Sequence, residues 1–259
     1  MEQASRVSCL MVAGGNPAHT ARAILCYQQQ SWENRELVVV DYGSRDLTPL
    51  LEDIPADELL YLRNDKFEGN PVGLLKNLGI DAARGDYIIH WHESDWHHPD
   101  RIRRQMRLIE EGAAINWLSG TLLHLDHPEM VHHPYVDLPK SGYTASLMHV
   151  NDNMKRYPEK HRHPDRAFIS TWEMSVARKV DPGASWLIVR GLGGGNRDRK
   201  RFLSGLRNSS SDIARLAWLR LRGRDRLEHP RFHLTSKARE SFQLYLKESR
   251  ALGLITAIS

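Results

Sequence analysis

Apolar residues fall in short uninterrupted runs through the first part of the chain. Residues 7–12 (VSCLMV) and 36–40 (ELVVV) lack the alternation of a half-exposed strand and predict strands buried on both faces. Residues 59–63 and 87–91 (YIIHW) are further runs of strand length. Between them the spacing becomes helical. Ala23, Ile24 and Tyr27 mark one face within residues 19–30, and Leu75, Leu78 and Ala82 mark another within residues 72–83, which stop before Gly85. Pro99 stands in the favoured early position of a helix predicted over residues 100–111. Strand and helix thus alternate up to residue 120, the order of an α/β fold with a mostly parallel sheet flanked by helices.

Beyond residue 120 the pattern loosens. Strand-like pieces occur at 121–125, 146–150 and 186–190, with a stretch rich in His and Pro between the first two. The last 60 residues read as helical, with Ile213, Leu216, Ala217 and Leu221 on one face, Trp218 and Leu219 widening it, and Arg215, Arg220, Arg222 and Arg224 nearby. The expected organisation is a domain over 1–204, divided into halves 1–120 and 121–204, followed by a helical extension over 205–259.

Charge sharpens that division. Residues 197–259 hold 15 Lys and Arg against 6 Asp and Glu, a balance of +9, whereas residues 1–196 hold 21 against 26, a balance of −5. The basic segment is expected to make peripheral contact with the inner face of a membrane or with a protein. No nucleic-acid-binding motif accompanies the charge, which argues against a nucleic-acid partner. No apolar run approaches the roughly 18 residues of a membrane span. Residues 1–6 are polar and resemble no signal peptide, so a cytoplasmic protein is expected. Cys9 and Cys26 lie in apolar patterns and read as buried free thiols.

Three strand ends carry polar groups: Gly14-Gly15, Asp41-Tyr42-Gly43-Ser44, and His92-Glu93-Ser94-Asp95. In open α/β sheets ligands bind beyond the carboxyl ends of the strands. A site is therefore expected where these loops meet. His90-x-His92 with Asp95 has a surface likeness to dinuclear metal hydrolases, but Ser94 stands where such sites carry Asp. His97-His98 and His132-His133 read as surface or loop residues.

The run ENRELVVVDYGSRD (33–46) and the block GLLKNLGIDAARGDYIIHWHESDWHHPDRIRRQ (73–105) resemble the family 2 glycosyltransferases. In that family a strand ends in Asp-Asp-Gly-Ser, and Arg-Asn-x-x-Ile precedes a strand that runs into an Asp-rich cluster. The resemblance covers residues 7–110, with a thinner match over 146–202. It implies a GT-A fold, a nucleoside-diphosphate sugar as donor (a UDP-sugar first), and a glycan, lipid-linked or protein acceptor. It places donor contacts at Val12, Ala13, Asp41, Tyr42, Lys76 and Glu93, and an inverting catalytic base at Asp165.

It also implies Mn²⁺ or Mg²⁺ on paired carboxylates, to neutralise the leaving diphosphate. Here the residues depart from the pattern. Tyr42 replaces the second Asp, His92 and Ser94 occupy the metal-pair positions, Gly193 replaces a His, and Pro164 precedes Asp165 in place of Glu. The remaining metal candidates are His92, Glu93 and Asp95. Two functions are thus open: a glycosyltransferase in polysaccharide or glycoconjugate assembly, or a catalytically inactive module that keeps the fold for binding or scaffolding.

Overall fold

The structure is a computed structural model describing residues 5–64, 72–159 and 162–257. The chain folds in the order β1 (Val7–Ala13), α1 (Pro17–Gln28), β2 (Arg35–Asp41), α2 (Thr48–Leu51), β3 (Leu59–Arg63), α3 (Val72–Ala82), β4 (Tyr87–His90), β5 (Asp95–His97) and α4 (Arg101–Glu110). It continues with β6 (Ile115–Leu118), β7 (Thr121–Leu125), β8 (Tyr135–Asp137), β9 (Tyr143–Val150), α5 (Pro164–Ile169), β10 (Ala177–Val180) and β11 (Ile188–Leu192). Three helices close it: α6 (Asn196–Gly205), α7 (Ser210–Leu221) and α8 (Ser236–Ala251). Two compact units result, one of residues 1–117 and 144–180, the other of 118–143 and 181–259.

The first unit is built on a seven-stranded sheet in the order β10-β6-β9-β4-β1-β2-β3. Its centre is parallel, β1 pairing with both β2 and β4, and β2 with β3. β9 enters antiparallel to β4 and sets His149 opposite Ile88. The uniform apolar runs follow from this placement, since Leu10, Val38, Val40 and Ile88 are buried in one core with Leu75, Trp117 and Phe168. α3 lies so close to this sheet that a Cβ on Gly79 would overlap Leu10 Cδ1. Glu36, buried on β2, is met by Ser8, Arg84 and Arg6. Burial pushes its carboxyl up, but these donors together hold it below the usual carboxylate range.

In the second unit β7 pairs parallel with β11 and antiparallel with β8. Leu123, Leu125, Tyr135, Phe202 and Leu206 form its core, with Leu216 packed against it. Asp137 binds Arg190 at 3.1 Å and Asn208 at 2.9 Å. Among the described residues no helix is long and apolar enough to cross a membrane. Both cysteines are buried and free, and burial pushes the Cys9 thiol up to about 12.

Candidate active site

The site begins where β4 ends. Two buried guanidiniums pin the loop that follows. Arg101, with no exposed surface, donates to the His90 carbonyl at 2.7 Å and meets His97 Nδ1 at 2.7 Å, its charge 5.0 Å from the Trp91 ring centroid. Arg22 donates to the Ser94 carbonyl at 2.6 Å, and Trp91 Nε1 to Ala23 at 2.9 Å. His97 is a correction to the sequence reading: it is fully buried beside Trp91, not a surface residue. Arg101 can only donate, so His97 accepts through Nδ1 and donates from Nε2 to the His92 carbonyl at 3.1 Å. Burial, reinforced by the Arg101 charge, holds this imidazole well below its ordinary value.

The β1 and β2 loops close from the other side. Gly14 and Gly43 approach so nearly that a Cβ on Gly43 would stand 2.8 Å from Gly14 Cα. Asp41 is fully buried, accepting from Gly43 N at 2.8 Å and Tyr61 Oη at 2.6 Å, with Arg63 at 3.5 Å. It shapes the Tyr42-Gly43 turn from beneath. Glu93 ties the loops together, accepting from Gly14 N at 3.3 Å and Thr20 Oγ1 at 3.1 Å.

These loops border a cleft of about 220 Å³ whose lining includes Val12, Tyr42, Lys76, His92, Glu93 and Asp165. Ala13, Asp41 and Asp95 are buried and do not line it. Lys76 on α3 and Asp165 in the first turn of α5 meet there, Nζ to Oδ1, at 2.5 Å.

Behind Asp165 runs a buried polar chain whose hydrogen bonds diverge from His90. His149 Nδ1 lies 2.7 Å from the Val150 carbonyl, which can only accept, so Nδ1 carries the proton. Neutral His149 therefore accepts at Nε2 from His90 Nε2, 3.3 Å away. His90 Nε2 also faces Tyr157 Oη at 3.3 Å, and Tyr157 donates to Asp165 Oδ1 at 3.1 Å. Burial drives all three groups toward neutrality: His149 falls to about 4, His90 well below its ordinary value, and Tyr157 well above. Tyr157 is further fixed by stacking on Phe168, centroids 4.4 Å apart. Sequence reading gave neither Tyr157 nor His149 a role: Tyr157 lies in no motif, and His149 only closes the SLMH run of the thinner match.

A divalent ion does not fit the described residues of the site. Among the described residues no group of three or more His, Cys, Asp or Glu side chains could hold one. The candidate trio is divided: Glu93 turns to Gly14 and Thr20, His92 Nδ1 to Ser94 at 3.0 Å, and Asp95 is buried on β5.

The fold is that of GT-A glycosyltransferases. It is similar to the mannosyltransferase PcManGT from Pyrobaculum calidifontis, solved with GDP-mannose and Mn²⁺, at a TM-score of 0.54 and 14% identity over 95% of this chain and 75% of that one. The sequence places it more closely: residues 17–172 match the model of glycosyl transferase family 2, and the chain belongs to that family. It is 30% identical over 154 residues to EpsH of Bacillus subtilis (strain 168), covering 54% of this chain and 42% of EpsH. It is 31% identical over 91 residues to the amylovoran biosynthesis glycosyltransferase AmsB of Erwinia amylovora, covering 33% of this chain and 29% of AmsB. The matches thus span less than half the length of either relative.

Proposed function

We propose that the protein transfers a sugar from a nucleoside-diphosphate sugar to an acceptor hydroxyl, with inversion, in the assembly of a polysaccharide or glycoconjugate. Family membership supports the reaction class, and the AmsB likeness supports the process. The observation that carries the reading is the meeting of Lys76 and Asp165 in the cleft.

In this reaction the acceptor oxygen forms a bond to the anomeric carbon as that carbon's bond to the diphosphate breaks. Asp165 takes the acceptor proton, which suits a carboxylate at the cleft wall. Both of its described donors converge on Oδ1, and Oδ2 is the oxygen assigned to the acceptor. The departing diphosphate is anionic, and Lys76 is the ammonium lining the cleft to receive it. Val12, Tyr42 and Glu93 are assigned to donor positioning, Glu93 by holding the Gly14 backbone. Asp41 and Ala13 act from beneath, shaping the turns the donor meets.

The test is release of nucleoside diphosphate from a panel of UDP- and GDP-sugars, with glycan and lipid-linked acceptors, by wild type and Asp165→Asn. Release by wild type and its loss in the variant, with donor affinity kept, is the expected result. Donor binding without turnover in wild type would favour the scaffolding alternative.

A further inference from the structure

Helix α7 carries apolar residues on its outward side as well as its inward one, which is unusual for a helix on a protein surface. Its inward side is Asp212 and Leu219, both buried, with Leu216 packed on the core of the second unit. Asp212 spends its charge inward, on Arg231 at 2.5 Å. The outward side should then be polar. Instead Ile213, Ala214, Ala217, Trp218 and Leu221 all face solvent, on an arc of roughly 140° at 3.6 residues per turn. Leu221 is 85% exposed, Ile213 53% and Trp218 41%.

The borders of this apolar arc are cationic. By helical spacing Arg220 falls at one edge, and Arg215 at the other with Arg222 just past the last turn. The guanidiniums of Arg215, Arg222 and Arg224 lie 5.3, 5.9 and 5.7 Å from the Trp218 ring centroid. From 197 to 226 the chain carries ten Lys and Arg and three Asp and Glu, one of those three being the inward-facing Asp212.

We propose that the outward face of α7 docks on an anionic lipid bilayer, with Ile213, Trp218 and Leu221 entering the headgroup–acyl boundary and the flanking arginines meeting lipid phosphates. A short apolar arc bounded by Arg and carrying Trp matches the chemistry of an interfacial helix. A second copy of the chain is a poor occupant, because pairing this face with itself would oppose two arginine clusters. The inference uses residues of the second unit alone and stands independently of the donor reading.

The test is co-sedimentation of the full chain with phosphatidylcholine vesicles, with and without about 30 mole % phosphatidylglycerol. Wild type is expected to bind the anionic vesicles at least tenfold more tightly than the neutral ones. Raising salt from about 0.05 to about 0.5 M should weaken that binding severalfold or more. The triple variant I213S/W218S/L221S and the quadruple variant R215Q/R220Q/R222Q/R224Q should each lose at least tenfold in binding. The apolar residues are exposed, so the triple variant should melt within about 2 °C of wild type. Equal binding by wild type and the triple variant would overturn the proposal, as would no wild-type binding to anionic vesicles. So would a wild-type dimer that the triple variant dissolves while neither protein binds lipid. Nucleotide-sugar stabilisation, measured in parallel, should be unchanged in both variants; its absence from wild type would fail the donor reading and leave the vesicle result intact.

Discussion

Lys76 Nζ and Asp165 Oδ1 lie 2.5 Å apart at the wall of the cleft, so the cation assigned to the donor rests on the carboxylate assigned to the acceptor. A diphosphate entering the cleft would compete for the same ammonium. The two residues should therefore fail differently. Asp165→Asn is expected to lower kcat by about 10²- to 10⁴-fold with little change in donor affinity. Lys76→Ala should weaken donor binding by about tenfold or more, as expected for a charge-assisted contact. Steady-state kinetics with separate kcat and KM, and donor titrations, distinguish them.

Tyr157 is proposed to position Asp165. Tyr157→Phe keeps the ring on Phe168 and deletes the donor to Asp165. The expected cost in stability is about 1 kcal/mol, while kcat falls about tenfold at constant donor KM. Equal kcat for the two proteins would remove Tyr157 from the machinery.

The buried histidines make stability depend on acid. A histidine held neutral in the fold binds fewer protons than in the unfolded chain at pH values between its two pKa values. Stability therefore falls as pH drops from about 6.5 toward about 4, the window set by His149. His149 alone should account for about 3 kcal/mol across that range, and His90 adds in the same direction. Denaturant unfolding at a series of pH values should show the slope, and His149→Gln should flatten it by comparison with wild type.

The close approach of Gly14 and Gly43 fixes the loops that border the cleft. In Gly43→Ala the new methyl would meet Gly14 backbone atoms at 2.8 and 3.1 Å, which cannot yield as a side chain can. A loss of about 1–3 kcal/mol is expected, with weaker donor binding. Denaturation midpoints and donor titration check both.

How much of this was legible depended on how local each signal was. β1, β2 and β3 were readable within a residue or two at each end, β1 and β2 because buried parallel strands are mostly apolar, and β3, half-buried at the sheet edge, because its LLYL run is still apolar. β8 (YVD) and β10 (ARKV) are too short and mixed to announce themselves, and α6 hides in a basic run with Phe202 as its one fully buried anchor. The strand-end rule located the end of β1 at Val12 and the loops bearing Tyr42, His92 and Glu93. It had no means of telling that Asp41 and Asp95 turn inward, because side-chain direction there is set by Tyr61, Arg63 and the burial of β5. The Tyr157, His90 and His149 chain was invisible for a related reason. Its members are joined by the antiparallel entry of β9 and the packing of Phe168, which no sequence spacing records.

The cleft is proposed to take the diphosphate of a nucleotide sugar on Lys76, without a divalent ion. Thermal-shift titration of UDP- and GDP-sugars in chelator, then with added Mn²⁺, on wild type and Lys76→Ala, tests it most directly. At least one nucleotide sugar is expected to stabilise the wild type in chelator, and Lys76→Ala to lose most of that shift. Stabilisation only when Mn²⁺ is present, or none by any nucleotide sugar, would contradict it.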